Sequence, residues 1–251
     1  MGCFGVQSAR EGAETASCII SSTIPSGLGH LYDRMWKKLE EGHTENVKIC
    51  RKILCTIIPA FQPLHLREIQ AIIEEIDSEN LETCRELVEA CGSFITIRDG
   101  VVYFVHQSAK DYFTVGSGQS IFPSTLAMLH EQLARRCVQM MTESLKRNIC
   151  GLRHPGVLVS EVPKTTIDRN LVRVQYSCRY WLRHVLACHD SKTASIDLND
   201  GGYLGVFLQA NFLYWLETLS LLRKISEGIS DLLKLFPIFL VSLYHEMIIS
   251  I

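Results

Sequence analysis

Nowhere in this 251-residue sequence does a lysine follow a glycine. A phosphate-binding loop needs glycines for close backbone approach, a lysine on the β- and γ-phosphates, and a Ser or Thr hydroxyl on Mg²⁺. Gly27-x-Gly29 and Gly116-x-Gly118 are short and do not sit between a strand and a helix. No apolar strand ends in paired acids that could hold the metal. ATP hydrolysis by this chain therefore has no chemical basis. The chain is expected not to be an enzyme, and no catalytic residue is assigned. The 10 cysteines form no C-x-x-C pair. Cys50, Cys55, Cys84, Cys91, Cys137 and Cys178 fall instead inside helical apolar patterns, as small core hydrophobes of a reducing compartment do. An excess of positive charge is missing too, since the formal net charge is -2. That removes any general pull toward nucleic acid or an anionic membrane.

Signals for export or membrane attachment are also scarce. Met1-Gly2-Cys3 resembles a lipidation start, but Val6 stands where myristoylation wants Ser or Thr. No basic segment leads into a long apolar one, as a signal peptide requires. Leu235 to Tyr244 is apolar but too short to span a bilayer, and Lys234, His245 and Glu246 close it off. A soluble, cytoplasmic chain is the expectation. No internal repeat shows itself.

What is present is the balance of a folded protein. Hydrophobic residues make up 47% and charged residues 21%, which argues against disorder for most of the chain. Residues 1–23 have no clear period and read as a disordered lead. Leu28, Leu31, Met35 and Leu39 then recur at helical spacing, with Gly42 just beyond. A second, nearly all-apolar helix starts at about Asn46 and ends at Pro59 and Pro63. After Leu64-His65-Leu66 comes a helix with Ile69, Ile72, Ile73 and Ile76 facing inward. A turn at 77–80 leads to a third helix at about 80–91, with Gly92 at the place of a C-cap glycine. Two β-prone runs, 93–97 and 101–105, flank Asp99-Gly100, the strongest short hairpin signal. Ser108-x-x-Asp111 has capping-box spacing, so a new helix is expected there.

Three helices followed by a hairpin is the order of a winged helix. From Phe122 onward the pattern is helical. Helices are expected at about 125–147 (with Lys146 and Arg147 in its last turn), 168–188, 203–216 and 217–235. The fold class is mainly α: a winged helix with a small β-hairpin, followed by an α-helical bundle. The domains are a lead at 1–23, a linker helix at 24–45, the winged helix at 46–115, the helical domain at 120–235 and an apolar tail at 236–251.

Ile24-Pro25-Ser26-Gly27-Leu28 and Leu31-Tyr32-Asp33-Arg34-Met35 resemble the stretch that leaves the ATPase core in fungal NACHT-type proteins. These are STAND signal-transduction NTPases similar to the vegetative-incompatibility proteins. Cys91-Gly92-Ser93-Phe94 and Val105-His106-Gln107-Ser108-Ala109-Lys110-Asp111-Tyr112-Phe113 look like the family's wing and the segment after it. Tyr176-Ser177-Cys178-x-Tyr180-Trp181, Asp200-Gly201-Gly202 and Tyr214-Trp215-Leu216-Glu217-x-Leu219-Ser220-Leu221-Leu222 look like its downstream helices. The likeness covers about residues 24–235.

The resemblance implies a switch in which a P-loop core holds ATP or ADP and the winged helix folds back on it. A histidine just after the wing then senses the β-phosphate of ADP, and His106 occupies that place. Gln107 replaces the aspartate of related families, which removes support for a role of the second residue. The resemblance also implies a NACHT ATPase core as partner, in cis or in trans, and oligomers with family members. No cofactor is assigned to this chain itself. Thr or Ser usually precedes Leu66 in the family, and His65 stands there instead, an expected loss of about 1 kcal/mol of capping. The residues themselves leave two readings of His106 open. One is an anion contact beside a helix N-terminus; the other is a ring that caps the end of the wing on backbone.

A winged helix can bind DNA, but the third helix carries Glu82, Glu86 and Glu89 against Arg85, the wrong sign for phosphate. On the helix at 168–188, Arg169, Arg173, Tyr176, Tyr180 and Arg183 line up opposite an apolar face, by helical spacing. That stripe suits an acidic partner or a phosphate-rich ligand; equally, it is a solvated face whose arginines lie over neighbouring helices. Cys178, His184, Cys188 and His189 lie close in sequence but match no zinc spacing, so no metal is assigned.

Residues 1–22 and 236–251 do not resemble the family. The expectation is a truncated or degraded copy, or an incompletely read gene, with the apolar tail as read-through. Three functions follow in order: the control region of a NACHT-type switch, a free-standing module that binds an intact family member, and a winged-helix nucleic-acid binder.

Overall fold

The computed structural model describes residues 26–249 apart from 43, 77–79, 93, 123, 155 and 190–200, with side chains from 27 to 238. The lead at 1–23, most of the turn at 77–80 and Asp200 lie outside the described residues. Among those described, the chain is mainly helical with one small three-stranded antiparallel sheet. No helix among them is long and apolar enough to cross a membrane.

Helix α1 spans Ser26–Glu40. Its inward face is centred on Tyr32 and Trp36, each 5% exposed, whereas the expected Leu31 points outward at 42%. Rings bury more apolar area than a leucine, and these have aromatic partners. Trp36 lies 6.4 Å from Phe94, Phe94 4.9 Å from Phe113, and Phe113 5.5 Å from Phe122. The cluster ties α1 to the elements that follow.

Those elements are α2 (Thr44–Ile57), β1 (Leu64–His65), α3 (Leu66–Ile72), α4 (Leu81–Ala90), β2 (Ile95–Arg98), β3 (Val101–Phe104) and α5 (Gln107–Thr114). The hairpin forms as expected. Asp99 and Gly100 have φ of 50° and 77°, the left-handed pair that a two-residue hairpin turn requires. The third strand was not legible. β1 pairs antiparallel with β3, Leu64 opposite Val102 and His65 opposite Val101, in the order β1-β3-β2. Two residues carry no period, so only the pairing reveals the strand.

Caps depart from the sequence reading in three places. His65 does cap α3: its Nδ1 accepts the Arg67 amide at 3.1 Å, and Glu68 accepts the His65 amide at 2.8 Å. An imidazole acceptor replaces the hydroxyl, so the expected loss does not arise. Helix α5 is capped by His106 and not by Ser108, which is buried inside its first turn. Gly92 is not a left-handed cap. A Cβ there would lie 2.5 Å from the Glu89 carbonyl oxygen, so the residue is needed for close approach. At the start of α4, Asn80 accepts the amides of Glu82 at 3.0 Å and Thr83 at 3.3 Å. Asn80→Ala is expected to cost about 1 kcal/mol and to lower Tm by roughly 2–4 °C in a calorimetric scan.

The second half contains α6 (Leu126–Ser144), α7 (Lys164–Leu171), α8 (Gln175–His189), α9 (Tyr203–Leu221) and α10 (Ile225–Ile249). Helix α6 stops before Lys146 and Arg147, which therefore lie beyond its last turn. The single helix expected at 168–188 is broken by a turn at Val172–Val174. The break expected at 216/217 falls at Leu222–Lys224. There Arg223 has φ 56°, Lys224 donates to the Leu219 carbonyl at 2.8 Å and Arg223 to that of Ser220 at 2.9 Å. This is a Schellman termination with arginine where glycine is usual, so no glycine marked it in the sequence. Helix α10 runs through Pro237 into the segment read as a tail, its backbone helical to Ile249.

Helices α6 and α8 pack along each other and, with α9, form the core of this half. Trp181 meets Trp215 edge-on at 5.7 Å and Phe207 at 5.4 Å. The Trp215 indole N–H donates to the Cys178 carbonyl at 2.8 Å.

Candidate functional site

His106 sits where β3 ends and α5 begins, with extended backbone that lets its ring turn back over the helix start. Its Nδ1 accepts the Ser108 amide at 3.1 Å and lies 2.8 Å from the Ser108 hydroxyl. That hydroxyl is 2.8 Å from the Tyr32 hydroxyl on α1. The same corner continues through Tyr112, whose hydroxyl donates to Asp33 at 2.8 Å; Ser117 donates to the same oxygen at 3.0 Å. Because Nδ1 accepts a backbone N–H, the neutral tautomer that fits carries its proton on Nε2. The residue is solvent-exposed, so the corner presents one oriented N–H donor.

The arginine–tyrosine stripe does not exist as a surface. Arg169 lies on α7 and Arg173 in the turn after it, while the other three residues belong to α8. Tyr176 is 0% exposed and Tyr180 6%. Arg183 bonds the buried carboxylate of Asp231 on α10 at 2.6 Å. Tyr180 donates to Gln62 at 3.0 Å, and the guanidiniums of Arg179 and Arg183 lie over its ring. The helical spacing was legible; the break at 172–174 and the burial of the tyrosines were not.

Those tyrosines belong to a buried polar network that sequence reasoning missed. Glu68 on α3 is 4% exposed. Its two oxygens accept the amides of His65 at 2.8 Å and Tyr176 at 2.9 Å, joining α3 to the start of α8. Tyr176 Oη accepts the Phe61 amide at 3.2 Å and lies 2.7 Å from His184 Nε2. His184 Nδ1 lies 2.8 Å from His130 Nδ1 on α6. Only one direction of donation satisfies every proton: Phe61 N–H to Tyr176, Tyr176 O–H to His184, and His184 Nδ1–H to His130. Both rings are neutral in that arrangement. Burial pushes the Glu68 carboxyl up to about 7 despite its two amide donors. Burial holds His130 down to about 4, helped by Lys110, and His184 well below the usual range, helped by His130. The only sequence signal was Glu68 as half of a capping box. The histidines lay on apolar helix faces, with nothing to say that they meet.

The histidines and cysteines considered for zinc face different neighbours. His184 belongs to the network, the Cys188 thiol donates to the Val185 carbonyl at 3.2 Å, and Cys178 is fully enclosed. No group of three His, Cys, Asp or Glu able to hold a metal occurs among the described residues. The eight described cysteines form no disulfide with one another.

No family model and no solved structure matches the chain. A similarity to a curated protein does exist. In an alignment of 231 positions that covers 85% of its length, this chain is 36% identical to the vegetative incompatibility protein HET-E-1 of Podospora anserina, of which it spans 17%, so it corresponds to one region of a much longer protein.

Proposed function

We propose that the chain is the non-catalytic control region of a NACHT-type nucleotide-dependent signalling switch, working in the cytoplasm through domain and protein contacts. The observation that carries this reading is the 36% identity over 231 residues to a vegetative incompatibility protein. The order helix, strand, helix, helix, strand, strand from α2 to β3 supports a winged helix at about 46–115, ahead of the helical domain at 120–235. Helix α4 exposes Glu82, Glu86 and Glu89, with Arg85 paired to Glu82 at 3.5 Å. That face repels phosphate and suits contact with protein.

In this reading an ATPase core, in cis or in trans, supplies the phosphate cradle. ADP held there brings anionic phosphate oxygens, and His106 meets one of them with its Nε2–H. The cap on Ser108 orients the ring, and Tyr32 braces Ser108, so the donor is fixed by packing. Among the described residues, His106 is the one that this reading assigns to the phosphate.

The test mixes the full chain with the NACHT ATPase segment of an intact relative loaded with fluorescent ADP. The chain is expected to bind and to slow ADP release about fivefold or more. His106→Asn keeps an N-cap acceptor but withdraws the imidazole. It should abolish the slowing while leaving Tm within roughly 2 °C. Failure to form a complex, or unchanged slowing in His106→Asn, overturns the reading.

A further inference from the structure

The connection between α6 and α7 forms one wall of a groove of about 660 Å³ against the C-terminal end of α9. Asn148 holds that wall. It adopts a left-handed φ of 54°, and its side chain clasps Leu152, accepting its amide at 2.6 Å and donating to its carbonyl at 2.9 Å. Its own amide donates to Glu217 on α9 at 3.2 Å. A wall bonded in this way is formed before anything binds, which lowers the ordering cost of binding.

The lining has two characters. Leu152, Val157 and Leu221 make an apolar floor, and Arg147 and Arg153 stand exposed on the rim. Lys146 is exposed beside Arg147, and Arg223 closes the end of α9. Among the described residues no carboxylate pairs with Lys146, Arg147, Arg153 or Arg223. Several other cations of the chain are paired, Arg51 with Glu40, Lys52 with Glu75, Arg136 with Glu74 and Arg183 with Asp231. The two exposed arginines give this apolar groove a cationic rim.

The geometry points to a docking groove for an acidic peptide segment of a partner protein, with an apolar side chain on the floor and carboxylates against Arg147 and Arg153. The volume lies in the range of small-ligand and peptide-anchor pockets. The apolar floor favours a peptide over a phosphate-rich ligand, because a phosphate would leave Leu152, Val157 and Leu221 uncovered. Arginine on a rim over an apolar floor is the composition of a peptide-binding surface. The inference is independent of nucleotide sensing at His106.

The experiment titrates the full ¹⁵N-labelled chain with a synthetic peptide alternating glutamate and leucine and follows the amide signals. Parallel titrations use the lysine–leucine counterpart and inorganic phosphate. Binding with Kd on the order of 100 μM at low salt is expected, with shifts confined to Asn148, Leu152, Gly156 and the end of α9. The double variant Arg147→Glu with Arg153→Glu should weaken it at least about tenfold, and added salt should weaken the parent complex. Both side chains are exposed, so unchanged amide positions elsewhere certify the fold of the variant. Shifts outside the groove, equal binding by the double variant, equal binding of the lysine peptide, or saturation of the same amides by phosphate alone each overturn the proposal.

Discussion

Replacing Trp215 by alanine is expected to lower the free energy of unfolding by about 3–5 kcal/mol. The indole is 0% exposed and is wedged among three helices. It meets Trp181 on α8 edge-on, and its N–H holds the Cys178 carbonyl. Helix α10 seats on the same ring through Gly228, where an added Cβ would lie 3.3 Å from the indole and 2.3 Å from Leu219. Alanine leaves a void at the meeting point of α8, α9 and α10 that rigid helices cannot close. Urea unfolding followed by circular dichroism measures the loss. Trp215→Phe keeps most of the ring and loses the donor, at an expected cost of about 1–2 kcal/mol, and it remains readable if the alanine variant does not fold. A loss under about 1 kcal/mol in the alanine variant would show that the three helices do not depend on this wedge.

Stability should also peak near neutrality because buried groups of opposite sign titrate in the network joining the two halves. The folded chain keeps a proton on Glu68 up to about pH 7, whereas an ordinary glutamate releases it near 4.5. The contribution of Glu68 is therefore complete below the ordinary value and is lost as pH rises through about 7. It amounts to about 3 kcal/mol, at 1.36 kcal/mol per tenfold change in proton affinity. His130 and His184 act the other way. Their folded forms refuse protons that an unfolded histidine takes up near 6.5, so their contribution stands above that value and is lost as pH falls toward about 4. Urea midpoints from about pH 5 to about pH 9 are expected to be highest near pH 6.5. Glu68→Gln should flatten the alkaline side. Glu68→Ala strips the acceptor from two buried amides and should cost about 2–4 kcal/mol at every pH. An alkaline slope unchanged in Glu68→Gln would assign it to another group.

Local chemistry was legible wherever a residue acts on its own neighbours. Asp99-Gly100 announced the hairpin because few sequences accept two left-handed positions in a row. The apolar period of α3 announced its buried face, since period and burial are the same fact for a helix on a core. Proline after α2 announced its end. Similar logic misled where a non-standard residue did a standard task. Histidine caps α3 and α5 in place of a hydroxyl, and Arg223 ends α9 in place of glycine. In each case the geometry is ordinary and only the residue type departs from preference.

The sequence by itself therefore determined the buried face of α3, the tight turn, the lack of a Gly-Lys pair and the acidic face of α4, because each depends on residues within a few positions of one another. Tertiary structure alone decided the rest. It added a two-residue strand by pairing, turned α1 onto Tyr32 and Trp36, and dissolved the arginine–tyrosine stripe by burying its tyrosines. It brought Glu68, His130, Tyr176 and His184 together from three helices, and set unpaired arginines over an apolar floor. These depend on contacts between residues far apart in the chain, and a buried polar group reveals its role only through the partner that satisfies it.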